Sequence, residues 1–274
     1  MKPLNQQLIK SLIKPRDKAS HKGTYGHALL IAGNTGKMGA AVIATQACLR
    51  SGVGLVTTNI PEKERFILQA TTPEAMVMMR QQKINHTTSF SALGIGPGIG
   101  TDDGVLKLVA GSLKSNLPLV IDADALNVIA LHKTLLHKIP KYTILTPHPK
   151  EFDRLFGIHQ NNNARIITAI EKAKEYHCII VLKTHETLIT SGLQTFINKT
   201  GNAGLAKGGS GDALTGMITA FLAQGYNPLD AALMGVYIHG LAADITLQNQ
   251  SMESMLITDV IKNLGKAFQQ VLQS

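Results

Sequence analysis

The sequence predicts an α/β protein built on a central, mostly parallel sheet with helices on both faces. Two observations carry this. Short apolar runs alternate with helical periodicities along the chain. The runs are also aliphatic or β-branched at successive positions, as strands covered on both sides must be, rather than alternating apolar and polar.

The strands expected in order are HALLIAG (27–33), GLVTTNI (54–60), EAMVMM (74–79), SALGIG (91–96), PLVIDA (118–123), YTILTP (142–147) and CIIVLKT (178–184). Helices fill the gaps between them, at Gly39–Ser51, Thr101–Lys114, Lys150–Phe156 and Asn163–Tyr176. TLITS and LQTFIN then flank a tight turn at Ser191–Gly192 and read as a hairpin. Beyond it, Ala213, Leu214, Met217, Ile218, Phe221 and Leu222 recur at helical spacing, with Gly225 as a C-terminal stop. Residues 231–247 are apolar nearly all round, which marks a buried helix. Ile257, Ile261, Leu264, Phe268 and Val271 form one stripe of a final amphipathic helix capped by Thr258 or a neighbour. Neither linker nor internal repeat interrupts the pattern, so residues 1–274 are expected to form one domain.

Composition narrows the function. The chain has 274 residues, 44% hydrophobic and 16% charged, enough for a continuous core and too apolar for disorder. Its net charge, 27 − 18 = +9, suits anionic partners or a generally basic surface. Nucleic acid is disfavoured by 4% aromatics, no tryptophan and no block of five Lys or Arg residues. Cys48 and Cys178 lie far apart in apolar surroundings and read as buried hydrophobes rather than a disulfide or metal ligands. The N-terminus lacks signal-peptide features and no run of 18 apolar residues occurs, so a soluble cytoplasmic protein with no membrane partner is expected.

In open α/β sheets, ligands gather at the carboxyl ends of the strands. Four such junctions carry unusual loops. IAGNTGKMGAAVIA (31–44) turns from strand to helix on small residues, either to bring backbone N–H groups to a ligand or to pack tightly. LGIGPGIGTDDG (93–104) lacks dinucleotide-motif spacing, and Thr101 is expected to cap the following helix, with Asp102 and Asp103 in its first turn. VIDADALN (120–127) and TPHPKEF (146–152) form a third pair. Asp122 and Asp124, on one side of an extended chain, are weak candidates for Mg²⁺ ligands, with a helix N-cap at Asp124 as the plainer alternative. His148, between two prolines, is held rigidly enough to contact a ligand.

The fourth junction is TGNAGLAKGGSGDALTG (200–216). Its glycines let backbone approach a phosphate chain closely, and a helix starting near Gly211 adds partial positive charge. Asp212 is misplaced for a resting anion. It suits a base that deprotonates a hydroxyl attacking phosphorus, while the loop amides stabilise the phosphoryl group. The alternative is an aspartate that merely caps the helix.

Taken together and in order, KGTYGHALLIAGNTGKMGAA, LGIGPGIG, VIDADALN, TPHPKEF, NKTGNAGLAKGGSGDALTG and AALMGVYIHGLAAD resemble the NAD(P)H-hydrate dehydratase family of ribokinase-like proteins, from about Lys22 to Asp244. The resemblance implies a ribokinase-like fold without the epimerase domain of bifunctional relatives, and a homotetramer. It implies dehydration of the S form of hydrated NADH or NADPH with ADP or ATP as co-substrate and Mg²⁺. Phosphorylation of the C6 hydroxyl gives AMP from ADP or ADP from ATP, phosphate leaves, and the reduced cofactor is restored. Asp212 is the implied base, with Gly208, Gly209, Ser210 and Gly211 as the anion hole. Ala41 (or Ala40), Gly98, His148 and Asp212 would contact the hydrated dinucleotide. Lys183, Thr184, His185, Glu186, Thr187 and Gly211 would contact the nucleotide. Two departures stand out: Lys207 and Ser210 replace threonines of the family loop, and KTHET lacks the glycine that often follows its lysine. A vitamin-precursor kinase of the same fold, or a nucleotide-binding protein without catalysis, are the competing readings.

Overall fold

All ten strands join one sheet in the computed structural model, which describes residues 1–80 and 89–273. They are β1 (Lys2–Pro3), β2 (His27–Ile31), β3 (Leu55–Ile60), β4 (Met76–Met79), β5 (Ala92–Ile95), β6 (Leu119–Ile121), β7 (Ile144–Leu145), β8 (Ile179–Leu182), β9 (Thr187–Thr190) and β10 (Thr195–Asn198). Their order across the sheet is β1-β10-β9-β8-β7-β6-β5-β2-β3-β4. Pairing is parallel from β4 through β8, turns antiparallel in β8–β9–β10, and returns to parallel where β1 lies on β10.

The helices are α1 (Gln6–Leu12), α2 (Met38–Arg50), α3 (Arg65–Thr71), α4 (Asp103–Ser112), α5 (Ala123–Leu131), α6 (Pro149–Phe156), α7 (Asn162–Glu175), α8 (Ser210–Ala223), α9 (Pro228–Thr246), α10 (Ile257–Lys262) and α11 (Leu264–Gln273). They make two cores on opposite faces of the sheet. Ala28 and Leu30 of β2 join α2, α8, α9, α10 and α11 in one, while Leu29 and Ile31 join α4 to α7 in the other. Val120 and Val181 likewise face the first core, and their neighbours Ile121 and Ile180 the second. This division is why the strands read as apolar at every position.

The first core is built for close approach. Gly216 of α8 lies against α2 so tightly that a methyl group there would stand 2.0 Å from the Ala44 carbonyl oxygen. Helix α9 is buried along most of its length, as its all-round apolar pattern predicts. Cys48 and Cys178 are also buried, and burial pushes both thiols up, Cys178 to about 12.

Several elements differ from expectation. β1 and α1 have no counterpart among the predicted elements; two residues and seven residues leave little periodicity to read. The expected strand 142–147 shrinks to Ile144–Leu145: Tyr142 is left-handed at φ 66°, and past Leu145 only single backbone bonds remain, from Thr146 N–H to the Ile121 carbonyl at 3.1 Å and from Lys183 N–H to the Pro147 carbonyl at 2.9 Å. The hairpin turn spans Ser191 to Gln194, closed by a 3.0 Å bond from Ser191 N–H to the Gln194 carbonyl, rather than two residues. Helix α4 is capped by Asp102, whose carboxylate accepts from Val105 N–H at 3.1 Å, not by Thr101. The final helix is two, broken at Asn263, whose side-chain amide donates to Thr246 Oγ1 at 3.0 Å; Thr258 is not a cap. Among the described residues no helix is long and apolar enough to cross a membrane.

Candidate active site at the carboxyl ends of the strands

The loops after β2, β5, β6, β7 and β8 converge with the start of α8. Backbone contacts hold the first three together. Gly33 N–H donates to the Pro97 carbonyl at 2.7 Å, and Asn34 Nδ2 donates to the Ile99 carbonyl at 3.0 Å. Gly96, at φ 137°, approaches β6 so closely that a methyl group would meet the Asp122 carbonyl oxygen at 1.8 Å. Gly98 is left-handed and faces Ala40, whose Cβ would lie 2.9 Å from an added methyl.

Ala40 and Ala41 are sorted by the phase of α2. Ala41 is completely buried beside Met38, Ile60 and Leu68, so its side chain belongs to the core, whereas Ala40 is half-buried at the loop. The dinucleotide contact expected of Ala41 therefore has no exposed side chain to make it.

Asp122 and Asp124 do not share an extended strand. Asp122 occupies the N-cap position of α5 and Asp124 lies in its first turn. Asp122 is 1% exposed, and both its oxygens are taken: Oδ1 accepts from Lys183 Nζ at 2.7 Å and Oδ2 from Thr215 Oγ1 at 2.7 Å. Asp124 Oδ2 accepts from Gly100 N–H at 2.8 Å and lies 3.8 Å from Lys37 Nζ. No group of three or more His, Cys, Asp or Glu side chains placed to hold a metal occurs among the described residues. Asn127 Oδ1 accepts from Arg154 Nη1 at 2.8 Å, which ties α5 to α6.

His148 caps α6. Its Nδ1 accepts from the N–H groups of Lys150 (3.1 Å) and Glu151 (3.3 Å), while Glu151 Oε2 accepts from the His148 N–H at 2.9 Å. With Nδ1 accepting, the network assigns the ring proton to Nε2, 3.2 Å from Glu151 Oε1. Burial and then the nearby Lys183 ammonium lower the imidazole pKa, so the ring is neutral. Glu151 is itself buried, and desolvation raises its pKa.

Lys183 ends β8 and is drawn to Asp122, while the rest of KTHET bends toward β9. Thr184 Oγ1 donates to the Glu186 carbonyl at 2.6 Å, Thr187 Oγ1 donates to the Thr184 carbonyl at 3.3 Å, His185 is exposed, and Glu186 pairs with Lys199 at 3.4 Å. Lys183 reaches the glycine loop directly: a methyl group at Gly211 would stand 3.2 Å from its Nζ and 3.4 Å from Asp122 Oδ2.

The loop enters α8 through Gly209, left-handed at φ 96° and the N-cap residue, so Asp212 is in the first turn and is not the cap. Its carboxylate has no hydrogen-bond or ion-pair partner among the described residues. Burial first, then the charge of Asp122, raise its pKa to about 6 against the opposing pull of Lys183. The result is a free carboxylate with raised basicity next to helix amides and an ammonium.

Lys207, which departs from the family pattern, turns back to the protein. Its Nζ donates to the carbonyls of Glu253 at 2.5 Å and Met255 at 2.8 Å and pins the loop from behind. Lys207→Met is expected to lose about 1–2 kcal/mol of stability and to lower turnover through a looser loop, read by thermal unfolding and steady-state rates. Sequence reasoning also missed Thr215, Glu151 and His239. His239 lies on α9 near Lys183; its Nε2 is buried without a partner, and burial lowers its pKa to about 4. A histidine inside an otherwise apolar helix was the available signal.

A profile described as NAD(P)H-hydrate dehydratase matches residues 28–266. The chain belongs to the NAD(P)H-hydrate dehydratase family. It is 34% identical to the ADP-dependent (S)-NAD(P)H-hydrate dehydratase of Bacillus subtilis, over 96% of this chain and 98% of that one. The crystal structure of ADP/ATP-dependent NAD(P)H-hydrate dehydratase from Bacillus subtilis, co-crystallised with ATP/Mg²⁺, superposes with a TM-score of 0.90 at 32% identity, covering 98% of each chain. A ribokinase-like superfamily protein from Enterococcus faecalis superposes at 0.89 with 29% identity, covering 100% of this chain and 97% of that one. The fold is ribokinase-like, as the motifs implied. The chain also spans about half the length of bifunctional family members: the NAD(P)H-hydrate repair enzyme of Moorella thermoacetica is 34% identical over 92% of this chain and 51% of its own.

Proposed function

We propose that this chain restores NADH and NADPH from their S-hydrated forms, with ADP or ATP as phosphoryl donor. The observation that carries the reading is Asp212: a half-buried, unpaired carboxylate in the first turn of α8, with Lys183 against the adjoining Gly211. Nucleotide-dependent dehydration of hydrated cofactor is the activity named for the Bacillus subtilis relative.

In this reading, Asp212 takes the proton of the substrate's C6 hydroxyl as that oxygen attacks the terminal phosphorus of the nucleotide. The P–O bond to the leaving nucleotide breaks, and the backbone amides of residues 208–211 and the Lys183 ammonium meet the charge on the phosphoryl oxygens. The C6–O bond of the phosphorylated substrate then breaks with the lone pair of the ring nitrogen behind it. Phosphate leaves, C5 loses a proton, and the 5,6 double bond returns. A base with a pKa of about 6 is ionised at neutral pH yet basic enough to share a proton in the transition state. His148, neutral and with both ring nitrogens engaged in the α6 cap, offers the dinucleotide a fixed ring surface rather than a free donor, and Gly98 lets the ligand pass close to the backbone.

Mg²⁺ fits this site as an ion that arrives on the nucleotide. The chain offers no protein cage among its described residues, and Asp124 Oδ1, unlike either oxygen of Asp122, is not already bonded. When bound, the ion neutralises charge between adjacent phosphate oxygens.

The test is direct. Folded protein is mixed with hydrated NADH, Mg²⁺ and either ADP or ATP, and reduced-nicotinamide absorbance is expected to return. No recovery with either nucleotide overturns the proposal. A homotetramer in the cytoplasm completes the reading by family resemblance; light scattering that gives a monomer mass removes that part of it.

A further inference from the structure

Two side chains in the site forgo the bonds their positions favour. Aspartate at a helix N-cap ordinarily accepts from the N–H groups of its own first turn. Asp122 holds that position on α5 and makes no such bond. Buried hydroxyls inside helices ordinarily donate to the carbonyl four residues back. Thr45, Ser51, Thr219 and Thr246 do so, to Ala41, Ala47, Thr215 and Ala242. Thr215 donates instead to Asp122 Oδ2 at 2.7 Å. Both departures serve one arrangement, in which the buried carboxylate grips Lys183 Nζ at 2.7 Å directly against Gly211.

This arrangement puts two carboxylates in competition for one ammonium. Lys183 interacts with Asp212 as well as with Asp122, and it is Asp122 that holds it. We propose that Asp122 is a positioning residue that fixes Lys183 at the phosphoryl site and keeps it from pairing with Asp212, so that one end of α8 offers both a cation and a free base. Thr215 completes the grip by occupying the second oxygen. Asp122 thus acts through its neighbours and touches neither substrate.

The inference rests on the roles of Lys183 and Asp212 given above. The groups facing Asp212 are Asp122 from the end of β6, Asp124 from α5 and Lys183 from the end of β8; those around Lys183 further include His148 and Glu151 of the α6 cap and His239 of α9. Substitution Asp122→Asn removes a negative neighbour of Asp212 and frees the lysine to approach it. Both changes favour the ionised form of Asp212, so its pKa falls.

Four results are expected for Asp122→Asn. The acid limb of the pH–rate profile moves down by about one unit. The KM for ADP rises several-fold, and kcat falls about 10- to 100-fold as the ammonium drifts from its place. The same downward shift appears in a ¹³C carboxylate titration of Asp212, which needs no turnover. Thr215→Val, which removes only the second grip and keeps the Asp122 charge, moves all four the same way by a smaller amount and serves if Asp122→Asn does not fold. A KM for ADP and a kcat that stay at wild-type values in a folded variant overturn the proposal, since loss of the Asp122 charge alone would move only the acid limb. Wild-type protein that restores no reduced nicotinamide defeats the functional reading instead. In that case the Asp212 titration in Thr215→Val, which keeps the Asp122 charge, still decides the competition for Lys183.

Discussion

Asp212→Asn is expected to lower turnover about 10³-fold while making the protein more stable at neutral pH. The loss follows from removing a general base, which contributes roughly 10²- to 10⁴-fold. The gain follows from the carboxylate's surroundings. Its folded pKa, about 6, lies above the ordinary aspartate value of 3.8, so between those two pH values the folded chain binds more protons than the unfolded one. Stability from this group is complete below about pH 4 and lost as pH rises through about 6, where Asp212 must ionise in a buried place without a partner. Asparagine is never ionised. The variant should therefore gain about 2 kcal/mol at pH 7, a figure reduced for the solvent that reaches a partly exposed group, and gain nothing at pH 4. Thermal unfolding at the two pH values checks this, and nucleotide binding should persist. For the wild type, kcat should fall as pH drops through about 6. Full activity in the asparagine variant would leave Asp212 as a helix residue with no part in chemistry.

Gly216→Ala is expected to cost about 3 kcal/mol or more and to reduce activity with it. The added methyl would stand 2.0 Å from the Ala44 carbonyl oxygen and 2.9 Å from the Ala44 carbonyl carbon, and backbone cannot rotate away as a side chain can. Relief requires α8 and α2 to separate, and α8 carries Asp212 and Gly211. Gly265→Ala in α11 is the control, because nothing lies within 4 Å of its added methyl and its φ is not positive. It should stabilise the protein by about 0.5–1 kcal/mol through helix propensity alone. Urea unfolding of both variants separates crowding from any general intolerance of alanine.

The parts of this molecule that could be read from sequence are those governed by short-range rules. β2, β5, β6 and β8 were visible because strands buried on both faces are apolar at successive positions, and α9 because it is apolar around its circumference. The glycine loop and Asp212 were visible because residues 204–212 keep glycines and acid in one short segment. What escaped depends on groups far apart in the chain. Asp122 looked like a metal ligand until Lys183, 61 residues later, and Thr215, 93 residues later, were found on its two oxygens. The role of Lys207 was open for the same reason, since its partners, the Glu253 and Met255 carbonyls, lie 46 and 48 residues later. Ala41 is a different case: Met38, Ala41, Thr45 and Cys48 already mark the buried stripe of α2 at helical spacing, and that phase places position 41 inward.

The tie from Lys207 to the carbonyls of Glu253 and Met255, with Ile257 packed beside Gly209, also sets an order of events during synthesis. A nascent chain that has emerged only through α9 already carries every residue of the proposed chemistry, from Gly33 to Asp212. It still lacks the segment that clamps the phosphate loop. That clamp forms only once residues 253–257 have left the ribosome, and a product truncated before residue 253 would carry Asp212 on an unclamped loop.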